Sequence, residues 1–148
     1  MNSWKQAFGK KVINNFYSAS EVDEIYSVVK EIENEQDRKD YAWKYFERDK
    51  TTISRIEYFI NYNLFLNDLA NSDKILKEVN FLMGEKSKIF KDKINFKYPN
   101  GQGFKPHQDI AAGWGEYCNK HITFALPFDK TTESNGCRYT ANSTNKYL

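Results

Sequence analysis

The sequence predicts an α+β fold in which amino-terminal helices pack on the outside of a β-sheet. Two observations lead to this prediction. Apolar residues recur at helical spacing in the first half of the chain, and from Lys93 onward they alternate with polar residues, as in strands. Runs of helices followed by runs of strands are typical of α+β domains. We treat residues 1–148 as a single domain, because no repeat, low-complexity tract or linker divides them.

The first predicted helix begins at Ser20. The serine hydroxyl can accept a backbone N–H, and Glu21 and Asp23 place negative charge in the first turn, where the helix dipole favours it. Apolar residues then recur at helical spacing and form one stripe for burial. The members of this stripe are Val22, Ile25, Val29 and Ile32.

The middle of the chain is less regular. Residues 31–50 are dominated by charge and carry no period, so they are predicted as a long loop or a short helix. Residues 53–69 are rich in apolar side chains and are predicted to be helical. Residues 71–73 cap a further helix, and Gly84 ends it, because glycine readily adopts the left-handed conformation that follows a helix. Three aromatic residues of the loop are predicted to be partly buried: Tyr41, Trp43 and Tyr45. The residues of the last helix predicted to face inward are Ile75, Leu76, Val79, Leu82 and Met83.

Strand-like alternation characterises the rest of the chain. Residues 93–98 and 121–126 each alternate apolar with polar side chains, which predicts two strands. Residues 99–103, Pro-Asn-Gly-Gln-Gly, predict a turn or loop, residues 133–136 a second turn, and residues 137–140 a short strand. The apolar faces are Ile94, Phe96 and Tyr98 in the first strand and Ile122, Phe124 and Leu126 in the second.

Composition excludes several classes of function. The net charge is +2, with acidic and basic residues interspersed, so we expect a mixed solvated surface and no nucleic-acid partner. No apolar run is long enough for a transmembrane helix, and the chain start lacks the apolar core of a signal peptide, so we expect no membrane partner. Cys118 and Cys137 are too few for a disulfide framework, which favours reduced thiols and a cytoplasmic location.

The most informative short motif is His107-Gln-Asp109. A histidine and an aspartate two residues apart on an extended segment project from the same face. They supply two of the three ligands of the 2-His-1-carboxylate site of non-heme Fe(II) oxygenases. A bare pair of this kind recurs by chance, and the alternative is a solvated loop pair in which Asp109 caps a turn. The second histidine of the chain, His121, is the other candidate metal ligand, but it has no acidic partner two residues away.

The surroundings of this motif resemble the phytanoyl-CoA dioxygenase family of Fe(II)- and 2-oxoglutarate-dependent hydroxylases. Residues 90–109 end in Phe-Lys-Pro-His-Gln-Asp, and an Asn-Gly-Cys turn at residues 135–137 follows a strand-like stretch at residues 121–127. The sequence around His107 is especially similar to that of bacterial members that hydroxylate small amines or aminophosphonates. Residues 8–32 resemble the amino-terminal segment that typically precedes the core in this family. The resemblance implies a double-stranded β-helix core (a jelly-roll, cupin-like fold), Fe(II) held by His107 and Asp109, 2-oxoglutarate as cosubstrate, and a small polar metabolite as substrate.

The resemblance also implies cosubstrate contacts on the predicted helix and strands. Arg55 lies where relatives carry a basic residue that contacts the cosubstrate, although a helix-surface charge beside Glu57 is the alternative. Asn95 and Lys97 would line the barrel mouth, where cosubstrate or substrate binds; alternatively they form the solvent face of a strand. Thr123 would add a hydroxyl to the 2-oxoglutarate pocket, and its alternative explanation is ordinary β propensity.

Trp114 lies just after the metal motif, where a lid over the substrate is expected, so the resemblance implies a substrate contact. Aromatic loop residues also pack without any such role, and that alternative stays open for Trp114. Similarly, Cys137 is interpreted as a small apolar residue after a turn rather than as a nucleophile.

The chain departs from the family pattern near its end. Counting from the Asn-Gly-Cys turn, the second metal histidine falls on Asn145, and the arginine that pairs with 2-oxoglutarate would lie beyond Leu148. The chain is therefore expected to correspond to the amino-terminal part of such an enzyme, with an incomplete barrel. An incomplete barrel leaves a sheet edge unpaired, which predicts self-association. The alternatives are a catalytically inactive fragment or pseudoenzyme that keeps a small-molecule pocket, and a plain metal-binding or interaction module.

Overall fold

The computed structural model describes residues 10–35, 43–103, 112–132 and 134–135. Helices and a small antiparallel sheet are both present, as the sequence predicts. The elements are α1 (Ala19–Asn34), β1 (Trp43–Phe46), β2 (Ile53–Glu57), α2 (Leu64–Ala70), α3 (Asp73–Met83) and β3 (Lys93–Asn95), with 3₁₀ turns at Phe59–Asn61 and Trp114–Glu116. The chain divides into two compact units, one of Asp23–Phe104 and one of Met1–Val22 with Lys105–Leu148.

Helix α1 begins at a capping box centred on Ser18. The Ser18 hydroxyl accepts from the Glu21 backbone N–H at 3.3 Å, and the Glu21 carboxylate accepts from the Ser18 backbone N–H at 2.7 Å. The prediction that Ser20 caps the helix is wrong, because Ser20 already lies inside it. The predicted apolar stripe is confirmed for Ile25, Val29 and Ile32, which are buried, whereas its first member, Val22, is half-buried.

The first two strands form a hairpin that the sequence did not predict. Trp43–Phe46 pairs antiparallel with Ile53–Glu57, with a shift in register between Tyr45 and Phe46. Residues 53–57 are therefore extended, and the predicted helix over 53–69 is wrong in its first part. The physical reason is that the β-branched residues within 51–57 (Thr51, Thr52, Ile53 and Ile56) favour a strand once a partner strand is available. Trp43 and Tyr45 are also more exposed than predicted, at 59% and 37%.

The three strands form one sheet in the order β1-β2-β3, and all neighbours are antiparallel. One face carries Lys44, Ile56 and Ile94 in a single cross-strand row. Ile56 is completely buried at the centre of this row. The buried apolar residues among those described are Ile25, Val29, Ile32, Ile56, Leu66 and Ile75. All six belong to the Asp23–Phe104 unit.

Polar side chains fix the ends of the short helices. Asn63 caps α2 by accepting from Leu66 N at 2.9 Å, and Ser72 caps α3 through Ile75 N. Gly84 ends α3 in the left-handed conformation at φ 75°, as predicted. Asp92 accepts from the backbone N–H groups of Tyr58 and Ile60, at 3.0 Å each. These caps account for helical boundaries that the apolar pattern alone does not set.

The predicted strands near the carboxyl end have different outcomes. Residues 93–98 form a strand over Lys93–Asn95, and Phe96 N still donates to Ser54 O at 2.9 Å. Residues 121–126 are described but irregular, because no described segment pairs with them, so that strand prediction is not realised. Asn135 closes the predicted turn by accepting from Thr132 N at 2.7 Å. The strand predicted at residues 137–140 lies outside the described residues.

Within the described ranges, no helix combines the length and apolar character needed to cross a bilayer.

Candidate functional site

The sheet face opposite Ile56 carries a compact group of charged and aromatic side chains. On β1 and β2, Tyr45 lies directly opposite Arg55, and Glu57 lies two residues beyond Arg55 on the same face. Lys91, just before β3, reaches the same place. We call Tyr45, Arg55, Glu57 and Lys91 the Glu57 cluster.

Two cations meet one carboxylate oxygen in the Glu57 cluster. Arg55 Nε lies 3.0 Å and Lys91 Nζ 3.1 Å from Glu57 Oε1, and the Tyr45 hydroxyl lies 3.4 Å from Oε2. The guanidinium carbon of Arg55 also lies 4.2 Å from the centroid of the Tyr45 ring, a cation–π distance. The Glu57 side chain is 3% exposed, whereas those of Arg55 and Lys91 are 26% and 33% exposed.

Other candidate residues continue this face onto β3. Arg55 pairs with Asn95 and Glu57 pairs with Lys93 in the antiparallel register. Lys97 is exposed two residues beyond Asn95. The structure therefore brings Arg55 and Asn95 side by side, although the sequence had placed Arg55 on a helix. A surface with several cations around one carboxylate can attract a small anion.

A second set of candidates lies in the other unit. Trp114 begins the 3₁₀ turn Trp114–Glu116, and its ring centroid is 5.7 Å from that of His121. The Sγ atom of Cys118 lies 3.4 Å from His121 Nδ1 and 3.4 Å from His121 Nε2. Thr123 is exposed in the irregular segment that follows. His121 thus contacts a thiol and an indole ring.

A groove of about 680 Å³ opens at the carboxyl end of α1 and beside the β1–β2 hairpin. Its charged groups are engaged within the protein, since Lys44 donates to the carbonyl of Glu35 and Glu33 contacts Lys30 and Tyr98. The groove residues are Glu33, Asn34, Lys44, Phe46, Thr51, Thr52, Ile53, Tyr98 and Pro99. The sequence patterns did not predict this groove.

The family model for phytanoyl-CoA dioxygenase matches residues 6–141. The chain belongs to this family. The matched range includes the sequences His107-Gln-Asp109 and Asn-Gly-Cys at residues 135–137. The resemblance inferred from the sequence is therefore confirmed.

Three of the proteins similar to this chain carry the names of phosphorus compounds. The chain is 41% identical over 98 residues to a 2-aminoethylphosphonate dioxygenase of the uncultured bacterium HF130_AEPn_1, covering 64% of this chain and 37% of that protein. It is 32% identical over 142 residues to a methylphosphonate hydroxylase of Gimesia maris, covering 94% and 53%. It is 31% identical over 137 residues to a probable alpha-ketoglutarate-dependent hypophosphite dioxygenase of Stutzerimonas stutzeri, covering 86% and 46%.

The chain spans about half, or less, of the length of these three relatives. No solved structure matches it significantly.

The predicted metal ligands of this family member, His107 and Asp109, lie outside the described residues, as does Asn145. Among the residues that the structure does describe, no group of three His, Cys, Asp or Glu side chains comes together to hold a metal ion. The metal site therefore stays a prediction from the sequence motif.

The sequence interpretation missed the central role of Glu57 and Lys91 in the cluster. A signal was present, because Arg55 and Glu57 are two residues apart and would share one face of a strand. Assigning that segment to a helix concealed the shared face. Lys91 carried no comparable signal, since it precedes its strand and reaches Glu57 only through the fold.

Proposed function

We propose that the protein acts as an Fe(II)- and 2-oxoglutarate-dependent dioxygenase that oxidises a small phosphonate or a related phosphorus oxyanion. The observation that carries this proposal is the family match across residues 6–141, which includes the His107-Gln-Asp109 motif. The substrate class is supported by the names of three relatives, which act on 2-aminoethylphosphonate, methylphosphonate and hypophosphite. The cosubstrate is supported by the name of the third, an alpha-ketoglutarate-dependent dioxygenase.

The donor set of the motif fits Fe(II). The His107 imidazole and the Asp109 carboxylate are the ligand types used by 2-His-1-carboxylate iron sites, and the carboxylate lowers the net charge of the centre. When bound, the metal supplies the activation of dioxygen that is coupled to decarboxylation of 2-oxoglutarate. In this proposal His107 and Asp109 hold the metal and leave the remaining positions to the cosubstrate and dioxygen.

The other side chains orient the two anionic reactants. Both 2-oxoglutarate and a phosphonate are anions near neutral pH, so partly exposed cations are the natural partners. Arg55, Asn95 and Lys97 would provide these contacts from the sheet. Thr123 would donate its hydroxyl to the cosubstrate, and Trp114 would cover the substrate and exclude water.

The three antiparallel strands support a barrel proposal as well. Antiparallel pairing of neighbouring strands is part of the geometry of a double-stranded β-helix. In the proposal, the sheet β1-β2-β3 is part of the wall of such a barrel, and the metal motif follows β3 along the chain.

The test is succinate formation from 2-oxoglutarate with Fe(II), dioxygen and methylphosphonate or 2-aminoethylphosphonate. We expect turnover that His107→Ala or Asp109→Ala reduces by about 100-fold or more, because each variant removes a metal ligand. His121→Ala is the matched control and should retain activity. Turnover that survives His107→Ala would contradict the proposal. Ligand-induced melting shifts without any succinate would instead favour an inactive relative that keeps the pocket, the alternative suggested by Asn145.

A further inference from the structure

The Glu57 cluster has a feature that a simple structural ion pair lacks: one buried carboxylate serves two partly exposed cations. We propose that Glu57 is a positioning residue that holds Arg55 and Lys91 together as a binding site for the carboxylate or phosphonate group of a small ligand. The proposal rests on the proposed function for the identity of the ligand, and it adds Glu57 and Lys91 to the residues that serve it.

Burial orders the three charges from the inside outward. The Glu57 side chain is 3% exposed, whereas Arg55 is 26% and Lys91 33% exposed. An anion that approaches from solvent therefore meets the cations, with the carboxylate beneath them. This is the order that an anion-binding site requires, because an exposed carboxylate would repel the ligand.

The charge balance also favours an anionic ligand. One carboxylate and two cations leave the cluster with a net charge of +1. Lys93 lies opposite Glu57 on the same sheet face and adds a further positive charge. The two carboxylate oxygens of Asp92 accept hydrogen bonds from the Tyr58 and Ile60 backbone N–H groups, so the contacts of Asp92 are with the 3₁₀ turn. A purely structural pair would need only one cation for neutrality.

The ion pairs bring both cations together before any ligand binds. Arg55 Nε and Lys91 Nζ converge on the same oxygen of Glu57, at 3.0 and 3.1 Å. The Tyr45 ring supports the guanidinium at 4.2 Å, and its hydroxyl lies 3.4 Å from the other oxygen of Glu57. Cations that are already held lose less conformational freedom on binding, so the ligand binds more tightly.

The chain offers a matched control for a charge-neutralising variant. Glu33 is also largely buried, at 9% exposure of its side chain, and it also contacts one lysine and one tyrosine hydroxyl, those of Lys30 and Tyr98. Glu57→Gln and Glu33→Gln thus remove the same charge from similar surroundings. Any general effect of losing a buried carboxylate appears in both variants, and only an effect on the cluster separates them.

The experiment measures dissociation constants for 2-oxoglutarate and for methylphosphonate separately, by calorimetry under anaerobic conditions with Fe(II) present. We expect Glu57→Gln to weaken binding of one ligand by about tenfold or more, and Glu33→Gln to leave both affinities unchanged. Weaker 2-oxoglutarate binding assigns the cluster to the cosubstrate, and weaker methylphosphonate binding assigns it to the substrate. In turnover, KM for that ligand should rise while kcat changes little, a split that a merely structural role would not produce.

Equal affinities in Glu57→Gln and Glu33→Gln would overturn the proposal, as would a wild-type protein that binds neither anion. Should Glu57→Gln fail to fold, Lys91→Met decides the question by the same measurement, because it keeps the aliphatic stem and removes the charge. Succinate formation is recorded independently. An anion affinity that depends on Glu57 in a protein without turnover would support the positioning role and contradict the proposed function.

Discussion

Two turns of the chain are each stabilised by one aspartate carboxylate that accepts hydrogen bonds from several donors. Asp92 accepts from two backbone N–H groups of the 3₁₀ turn, those of Tyr58 and Ile60, and Tyr58 has a left-handed backbone with φ 64°. Asp49 accepts from Thr51 and from Thr52 in the β1–β2 hairpin. Each carboxylate replaces bonds that the local backbone cannot make, which is why such residues cluster at turns.

The hydrogen bonds of Asp49 predict how its contribution to stability depends on pH. The Thr52 hydroxyl, followed by the backbone N–H groups of Thr52 and Thr51, lowers the Asp49 pKa from 3.8 to about 2. Because the pKa in the folded protein lies below the unfolded value, the stabilisation is complete above pH 3.8 and is lost as the pH falls toward 2. NMR titration of the Asp49 carboxyl carbon should give a midpoint near 2. In Thr52→Val, which removes only the hydroxyl, the midpoint should move back toward 3.8. A wild-type midpoint at 3.8 would contradict the hydrogen-bond geometry.

At the scale of elements, sequence patterns identified helices better than they identified strands. The stripes of α1 and α3 extend over several turns, so the pattern is repeated and tertiary contacts need not be known. The strands β1 and β2 contain only four and five residues, and each residue pairs with a partner seven or more positions away. Short apolar runs of this kind are ambiguous between helix and strand until the partner is known. This explains both the missed hairpin and the missed sheet face of the Glu57 cluster.

Helix α1 provides the corresponding prediction. Because the capping box joins Ser18 and Glu21, Ser18→Ala should lower the free energy of unfolding by about 1 kcal/mol. Ser20→Ala should change it by less than about 0.5 kcal/mol, since Ser20 lies within the helix, where alanine is favoured. Urea denaturation followed by circular dichroism measures both values. A larger loss of stability from Ser20→Ala than from Ser18→Ala would instead support Ser20 as the helix cap, as inferred from the sequence.

For the molecule as a whole, family membership could be predicted from the sequence, whereas the arrangement of the sheet could not, and the metal site at residues 107–109 stays a prediction. His107-Gln-Asp109 is a local pattern with a defined chemical meaning, and the surrounding residues identify the family. In contrast, the core residue Ile56 is fully buried on the central strand, with a partner strand on each side, and no local pattern contains that information. The same dependence on distant partners applies to Lys91, which joins the Glu57 cluster only in the folded chain.

Ile56 therefore provides a prediction about the cooperativity of the Asp23–Phe104 unit. It is 0% exposed on the central strand, and its neighbours in the pairing register are Lys44 and Ile94. Ile56→Ala removes three buried methyl or methylene carbons and leaves a cavity, so the free energy of unfolding should fall by about 3 kcal/mol. Ile89→Ala is the matched control, because Ile89 is 37% exposed and the same truncation there should cost less than about 1 kcal/mol. Urea denaturation should be followed by tryptophan fluorescence and by circular dichroism, with coincident transitions in both variants. Equal costs for the two truncations would show that the sheet centre is not part of the cooperative core, and the placement of β2 between β1 and β3 would then be wrong.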